Sequence, residues 1–476
     1  MSRNRKQTRT RKPCLGSLEH LEAKRLMAGD LISPVEAVPV LSASEAVVES
    51  AAVTSHSDMS LHDLHIVGGN DNLSAGSNDG SGTANRMMCD AHPDNPELAA
   101  EHCAAMNLAR PEDATHVLVA SGDWSEPANW ANGVLPGDKA RVHIPAGITV
   151  TVDRVDPTTY ATIRVDGTLR FAPNVNTELR VDTIVSSMHS RVEMGTQADP
   201  IRSDVKARIV IADCGEIDRI NDPLALGRGA ILHGETVING AAKTSWSTTS
   251  QALAGDRTLT LAQAPSGWQV GDSLVVAGTR LDASGEEVAT IQSIDGNAVT
   301  LSAPLTEDHV PPAGDLSIHV ANTTRNAVIQ SESTAISRRG HVMFMHNPNV
   351  QIAHAGFYDL GRTDKSILPN PAELDEDGQL VPGTGTNVQG RYSVHFHRQG
   401  VAANTPKARV EGSALVGSPG WGYVNHSSHV DIVDNVSFDV FGAAFYTEAG
   451  DEIGSFVNNL SIKTHGTGLP PNDRDG

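Results

Sequence analysis

The C-terminal third of the chain repeats itself, and that limits what it can fold into. Val410-Glu411-Gly412-Ser413-Ala414-Leu415 aligns with Val433-Asp434-Asn435-Val436-Ser437-Phe438 at an offset of 23 residues. Val433-Asp434-Asn435 aligns with Val457-Asn458-Asn459 at an offset of 24. Asn349-Val350-Gln351-Ile352-Ala353-His354 has the same pattern as His429-Val430-Asp431-Ile432-Val433-Asp434. Short β-runs at this period, with Asn and Gly at the corners, specify a right-handed parallel β-helix. One rung cannot bury its apolar face alone, so neighbouring rungs must stack. Asn435 and Asn459 are expected to satisfy backbone groups in an inner ladder.

Side-chain alternation then sorts the polar residues. In Gly390-Arg391-Tyr392-Ser393-Val394-His395-Phe396-His397, two histidines two residues apart share one side of a strand. With Val394 and Phe396 inward, His395 and His397 face out. With Val424 inward, Tyr423 and Asn425 are expected to face out. With Phe445 inward, bringing out both Tyr446 and Glu448 is expected to need a bend. Rungs stack about 4.8 Å apart, which gathers His397, Asn425 or His426, and Glu448.

The candidate catalytic residues are therefore His395, His397, His426 and Glu448. Imidazoles beside a carboxylate can supply a general acid and base, or hold a divalent cation. Arg391, Trp421, Tyr423 and Asn425 are the candidate substrate-binding residues, with Arg391 placed to neutralise a uronate. Asp451 and Glu452, at the next corner, are candidate metal ligands. A hydrolytic reaction would need two carboxylates about 5–9.5 Å apart, and Glu448 with Asp451 or Glu452 is the local choice. The alternative is a hydrogen-bonded polar ladder with no chemistry.

Composition narrows the class. Aromatics make up 4% of 476 residues, against 43 Gly and 25 Pro, which favours a turn-rich β protein. The net charge of -21 argues against a nucleic-acid partner. No apolar run reaches the roughly 18 residues of a membrane span. Residues 1–30 are basic at the start and lack the apolar core of a standard signal peptide. Leu18 to Asp30 resembles an N-terminal signature of large secreted or envelope proteins of some bacteria.

Residues 31–110 read as a linker ending in a cysteine loop and a short helix. Asn95 is its expected N-cap, with Pro96 at the first helical position. Cys89 and Cys103 are expected to form a disulfide, in keeping with an exported protein. The alternative is a zinc site from Cys89, His92, His102 and Cys103. Adjacent His102 and Cys103 make poor geometry for one metal.

Residues 111–245 alternate short strands with Gly, Pro and Asp turns. Residues 246–320 read as a small barrel-like β insertion, with a hairpin at Asp295-Gly296-Asn297. Trp124, Trp130, Trp246 and Trp268 are expected to be core anchors. Residues 321–476 hold the β-helix, whose end at Gly476 shows no evident cap.

Gly122-Asp123-Trp124-Ser125, Pro136-Gly137-Asp138, Ile144-Pro145-Ala146-Gly147 and Leu232-His233-Gly234 resemble the G-eight (eight-glycine) domain, over about Ser121 to Thr244. Arg339 to His346, Gly390 to His397 and Gly420 to His426 resemble the β-helix of the hyaluronan-binding, cell-migration-inducing and transmembrane hyaluronidase family. The resemblance implies an extracellular or cell-envelope protein that binds acidic polysaccharide or depolymerises it, by hydrolase or lyase chemistry, with calcium as the candidate helper. A non-catalytic carbohydrate-binding or adhesion protein of the cell surface is the competing expectation.

Overall fold

The computed structural model describes residue 92 and residues 94–280, 285–376 and 378–468. Residues 1–30 and Cys89 lie outside the described residues. The architecture is a coil of parallel strands interrupted by one antiparallel insertion. Arg141–Ile144 pairs with Val155–Val165, which pairs with Thr177–Ser186. The stack continues through Gly229–Leu232 (β1), His341–Met345 (β2), Val394–Gly400 (β3), Tyr423–Val433 (β4) and Phe445–Thr447 (β5), each parallel to the one before. The early strands and the late ones are rungs of one solenoid, and a single apolar core runs through both. The chain leaves this coil after Glu235–Asn239 and rejoins it at Ala327–Ser331.

The inner face explains why the coil holds. Ile163, Ile184, Ala230, Val342, Val394 and Tyr423 occupy one inward row and are fully buried. Phe344 stacks on Phe396 with centroids 5.1 Å apart, and Tyr423 lies parallel to Phe445 at 5.4 Å. Emptying one such aromatic position costs about 3–5 kcal/mol, so each rung depends on its neighbours. The asparagine ladder also forms. Asn435 Oδ1 accepts from Ser413 N at 2.9 Å, and Asn459 Oδ1 accepts from Asn435 N at 2.9 Å.

The register corrects the expected alternation on β4. Val410 pairs with Ile432, a rung of 22 residues, whereas Val433 pairs with Val457, a rung of 24. A uniform 23 slips the alignment by one, and a one-residue slip reverses every side chain. Earlier on β4, Tyr423 and Asn425 point inward, opposite Val394 and Phe396, while Val424 and His426 point out, and Ser427, at φ 45°, breaks the alternation before Val430 and Ile432. Tyr446 opposes Val424 and Glu448 follows two residues later on the same side, so no bend is needed.

The insertion runs from Trp246–Thr249 to Ile318–Asn322 as a six-stranded antiparallel sheet with its own core. Its hairpin joins Glu287–Asp295 to Ala298–Leu301, as the Asp-Gly-Asn turn predicts. It seats on the solenoid through Val275 and Ala321 against Val436 and Ile462. Trp124, Trp130 and Trp268 are buried anchors, and Trp246 is half-buried. Before the coil, helix α1 spans Pro96–Asn107, capped by Asn95 Oδ1 accepting from Leu98 N at 3.1 Å. It lays Ala105 and Met106 on Val185, Ile231, Met343 and Met345, on the outside of the sheet.

Candidate functional site

The outward row of β3 and β4 brings the predicted catalytic residues together. His397 sits directly opposite His426 in the ladder. One ring nitrogen from each of His395, His397 and His426 lies within 4.8 Å of the others. Glu448 closes the group, its Oε2 lying 3.4 Å from His395 Nε2 and 3.5 Å from His426 Nδ1. Tyr392 donates to Glu448 Oε1 at 2.9 Å, and His395 Nδ1 meets the Gly390 carbonyl at 3.1 Å. The group does not line an open groove. The three imidazoles are 0%, 1% and 8% exposed, while the Glu448 side chain, at 12%, reaches the surface.

The cover is α1. Glu101, buried in the middle of the helix, accepts through Oε2 from His346 Nε2 at 3.0 Å and from His397 Nε2 at 3.1 Å. Its other oxygen takes the Arg398 guanidinium at 2.8 Å. Burial alone would raise the Glu101 carboxyl, but His397, His346 and Arg398 outweigh it and hold it below its ordinary value. Burial pushes His397 down to about 3, so its ring is neutral near pH 7.

The predicted substrate-binding residues do not line an accessible surface, and each is corrected. Arg391 is buried, giving its guanidinium to the carbonyls of Ala225, Gln389 and Leu224 at 2.9–3.0 Å. It holds the chain segment before β1 against the sheet and is not placed to meet a uronate. Tyr423 and Asn425 are interior because of the register. Trp421 is also buried, stacked on Tyr446 at 3.7 Å with the Lys365 ammonium 3.5 Å above its ring.

The predicted metal ligands fare no better. Glu452 accepts from the backbone N–H groups of Glu448, Ala449 and Gly450 at 2.5–2.8 Å, so it shapes the corner. Asp451 is exposed, and neither residue joins a metal-ligand group among the described residues. Glu452's engagement removes it as the second carboxylate of a hydrolytic pair, which leaves Asp451.

A second histidine group lies on the other side of Glu101. Ligand atoms of His92, His102 and His346 fall within 4.8 Å of one another. His233 packs edge-on against His102 at 4.6 Å and against His346 at 5.7 Å. Both ring nitrogens of His102 and of His233, together with His92 Nε2, His346 Nδ1 and His397 Nδ1, are buried without a hydrogen-bond partner. Each such atom costs about 1–3 kcal/mol if nothing occupies it. Burial lowers His102 to about 4 and His233 well below its ordinary value, with neighbouring imidazoles adding to both. Cys103 is disulfide-bonded, which removes the thiolate that the alternative zinc set required.

Sequence reasoning missed Glu101, His233 and His346. One signal was available. Gly340-His341-Val342-Met343-Phe344-Met345-His346 precedes Gly390 to His397 by one rung and ends on a histidine at the same corner.

Comparisons with known proteins agree with this architecture. Residues 129–250 match the G8 domain, and residues 378–476 match the CEMIP beta-helix. Human Fibrocystin-L is 27% identical over 410 residues, covering 76% of this chain and 9% of that protein. A G8 domain-containing protein of Dictyostelium discoideum is 27% identical over 374 residues, covering 73% of this chain and 30% of that protein. The chain thus spans less than a third of these relatives. The tailspike of Acinetobacter baumannii bacteriophage AP22, solved with a capsular saccharide, matches at a TM-score of 0.18 and 11% identity. That match covers 64% of this chain and 48% of the tailspike, a superposition too loose to carry a functional argument. The described residues contain no helix long and apolar enough to cross a membrane. With a G8 match and, beyond residues 251–377, a CEMIP beta-helix match, this chain is G8/CEMIP-like.

Proposed function

We propose that this protein acts on an extracellular acidic polysaccharide, with His395, His397, His426 and Glu448 as its reactive centre and a divalent transition metal as its helper. The observation that carries the reading is the convergence of three imidazoles from adjacent rungs on one carboxylate. Neutral imidazoles are lone-pair donors, and His397 is held neutral by burial. Such nitrogen donors suit zinc, iron or nickel, whereas calcium takes oxygen ligands. A bound metal would polarise a sugar or water oxygen. It would also offset the repulsion between a chain of net charge -21 and a uronate polymer. Glu448, held by Tyr392 and reaching the surface, is the residue placed to take or give the proton.

The test is to incubate the full chain with hyaluronan and other uronate polysaccharides, with zinc, manganese, calcium or a chelator. Chain length and the absorbance of unsaturated products are followed. Shortening that needs a transition metal and is lost in His395→Ala and Glu448→Gln is expected. New absorbance selects a lyase, and shortening without it selects a hydrolase. Constant chain length with every cation removes the enzymatic reading. The burial of the three imidazoles favours a second reading, binding without cleavage. Under it, polysaccharide affinity survives both substitutions.

A further inference from the structure

The histidines that the reactive centre does not use form a site of their own. His92 lies in the turn before α1, where its carbonyl accepts from Asn95 N at 3.0 Å. His102 lies two turns into the helix and is 1% exposed. His346 stands at the corner that ends β2, in the left-handed region at φ 59°. A non-glycine residue adopts that conformation at a cost, and here it turns the imidazole towards the underside of α1. Three rings from three separate segments thus converge where the helix meets the sheet, with ligand atoms within 4.8 Å. No apolar packing need calls for them, because Ala105 and Met106 already seat the helix.

The hydrogen bonding is that of a ligand set. His346 gives Nε2–H to Glu101, which fixes its tautomer and leaves Nδ1 as a buried lone pair without a partner. A carboxylate on the far nitrogen is the usual device for orienting a metal-bound imidazole. His102 has neither ring nitrogen paired, although a neutral imidazole carries both a donor and an acceptor. His233, with both nitrogens also unpartnered, packs against His102 and His346 as a fourth ring.

We propose that His92, His102 and His346 bind a zinc-class divalent metal that staples α1 to the outer face of the β-helix. Three closely spaced imidazole donors suit that ion and leave the fourth position of its tetrahedron to water. The metal joins the segment before α1 to the corner after β2, and Glu101 on the same helix holds His397. Fastening α1 therefore also fastens the cover of the reactive centre. The binding claim does not depend on the proposed function.

The experiment uses the full chain, stripped of metal and then titrated with Zn2+, with bound metal counted by elemental analysis. Co2+ in place of zinc reports nitrogen ligation through its visible spectrum. His102→Ala should lose one metal equivalent and the corresponding cobalt band, while His395→Ala should leave the equivalent at His92, His102 and His346 in place. Amide exchange across Pro96–Asn107 should quicken when the metal is removed from the wild type and not respond to metal in His102→Ala. If His102→Ala does not fold, His92→Gln, at the half-buried ligand, makes the same comparison. Metal stoichiometry and a cobalt spectrum equal to wild type in the histidine variant would overturn the proposal. Loss of polysaccharide activity with this equivalent retained would count against the reactive centre alone.

Discussion

Lys243 and His102 are both buried polar side chains, and the fold treats them differently. Lys243, where the insertion leaves the solenoid, gives its ammonium to both oxygens of Asp272 at 2.6 Å. Asp272 also accepts from Gln269 N and Asn322 Nδ2 at 2.9 and 2.8 Å. Every member of that cluster is partnered, as expected for polar groups retained to fix a junction. His102 sits among His92, His233 and His346 with neither nitrogen partnered. The cluster around Lys243 satisfies its own polar groups, and the one around His102 does not.

That contrast can be broken experimentally, with the largest effect at the junction. Asp272→Ala leaves a buried ammonium unpaired and should cost about 3–5 kcal/mol in denaturant unfolding, with no response to a chelator. The histidine group should behave in the opposite way. Zinc at 100 times its dissociation constant should stabilise the wild type by about 2.7 kcal/mol, and His102→Ala should gain nothing from it. The midpoint of unfolding with and without zinc gives both numbers. Arg391→Ala should lose about 1–3 kcal/mol by uncapping buried carbonyls, while leaving polysaccharide affinity unchanged. A fall in affinity there would restore Arg391 to the binding surface.

The smallest effect concerns acid. Burial would raise Glu287, but hydrogen bonds from Thr306, Glu307 and His309 outweigh it and hold the carboxyl at about 2. The folded value lies below the unfolded one. Its contribution is therefore complete above about pH 4.5 and is lost as pH falls towards 2. Exchange of the Thr306 and Glu307 amides should quicken over that window. Glu287→Gln should quicken it already at pH 7.

Much of the fold was legible because stacked rungs write their period into the sequence. The repeats around Val433 and Val457, the asparagine ladder and the capped helix all stand as read. The site was half legible. His395 and His397 declare a shared face by their spacing of two. The inward turn of Tyr423 and Asn425 was hidden, because Ser427, in the left-handed region, breaks the alternation that links them to Val430 and Ile432. Glu101 was hidden for a different reason. It reaches His397 across 296 positions through the docking of a separate helix, and local pattern carries no trace of that. Arg391 misled because an arginine beside histidines reads as a ligand for an anion. Nothing in sequence reveals that the carbonyls of Leu224 and Ala225 come to meet it.

The central claim is that the imidazoles clustered on the outer face of the solenoid are ligand positions. Anomalous diffraction at the zinc edge, on crystals of the full chain grown with zinc, addresses it directly. The account predicts one peak bonded to His102 and His346 and another bonded to His395 and His426. Zinc confined to surface carboxylates, with both histidine groups unoccupied, would contradict it.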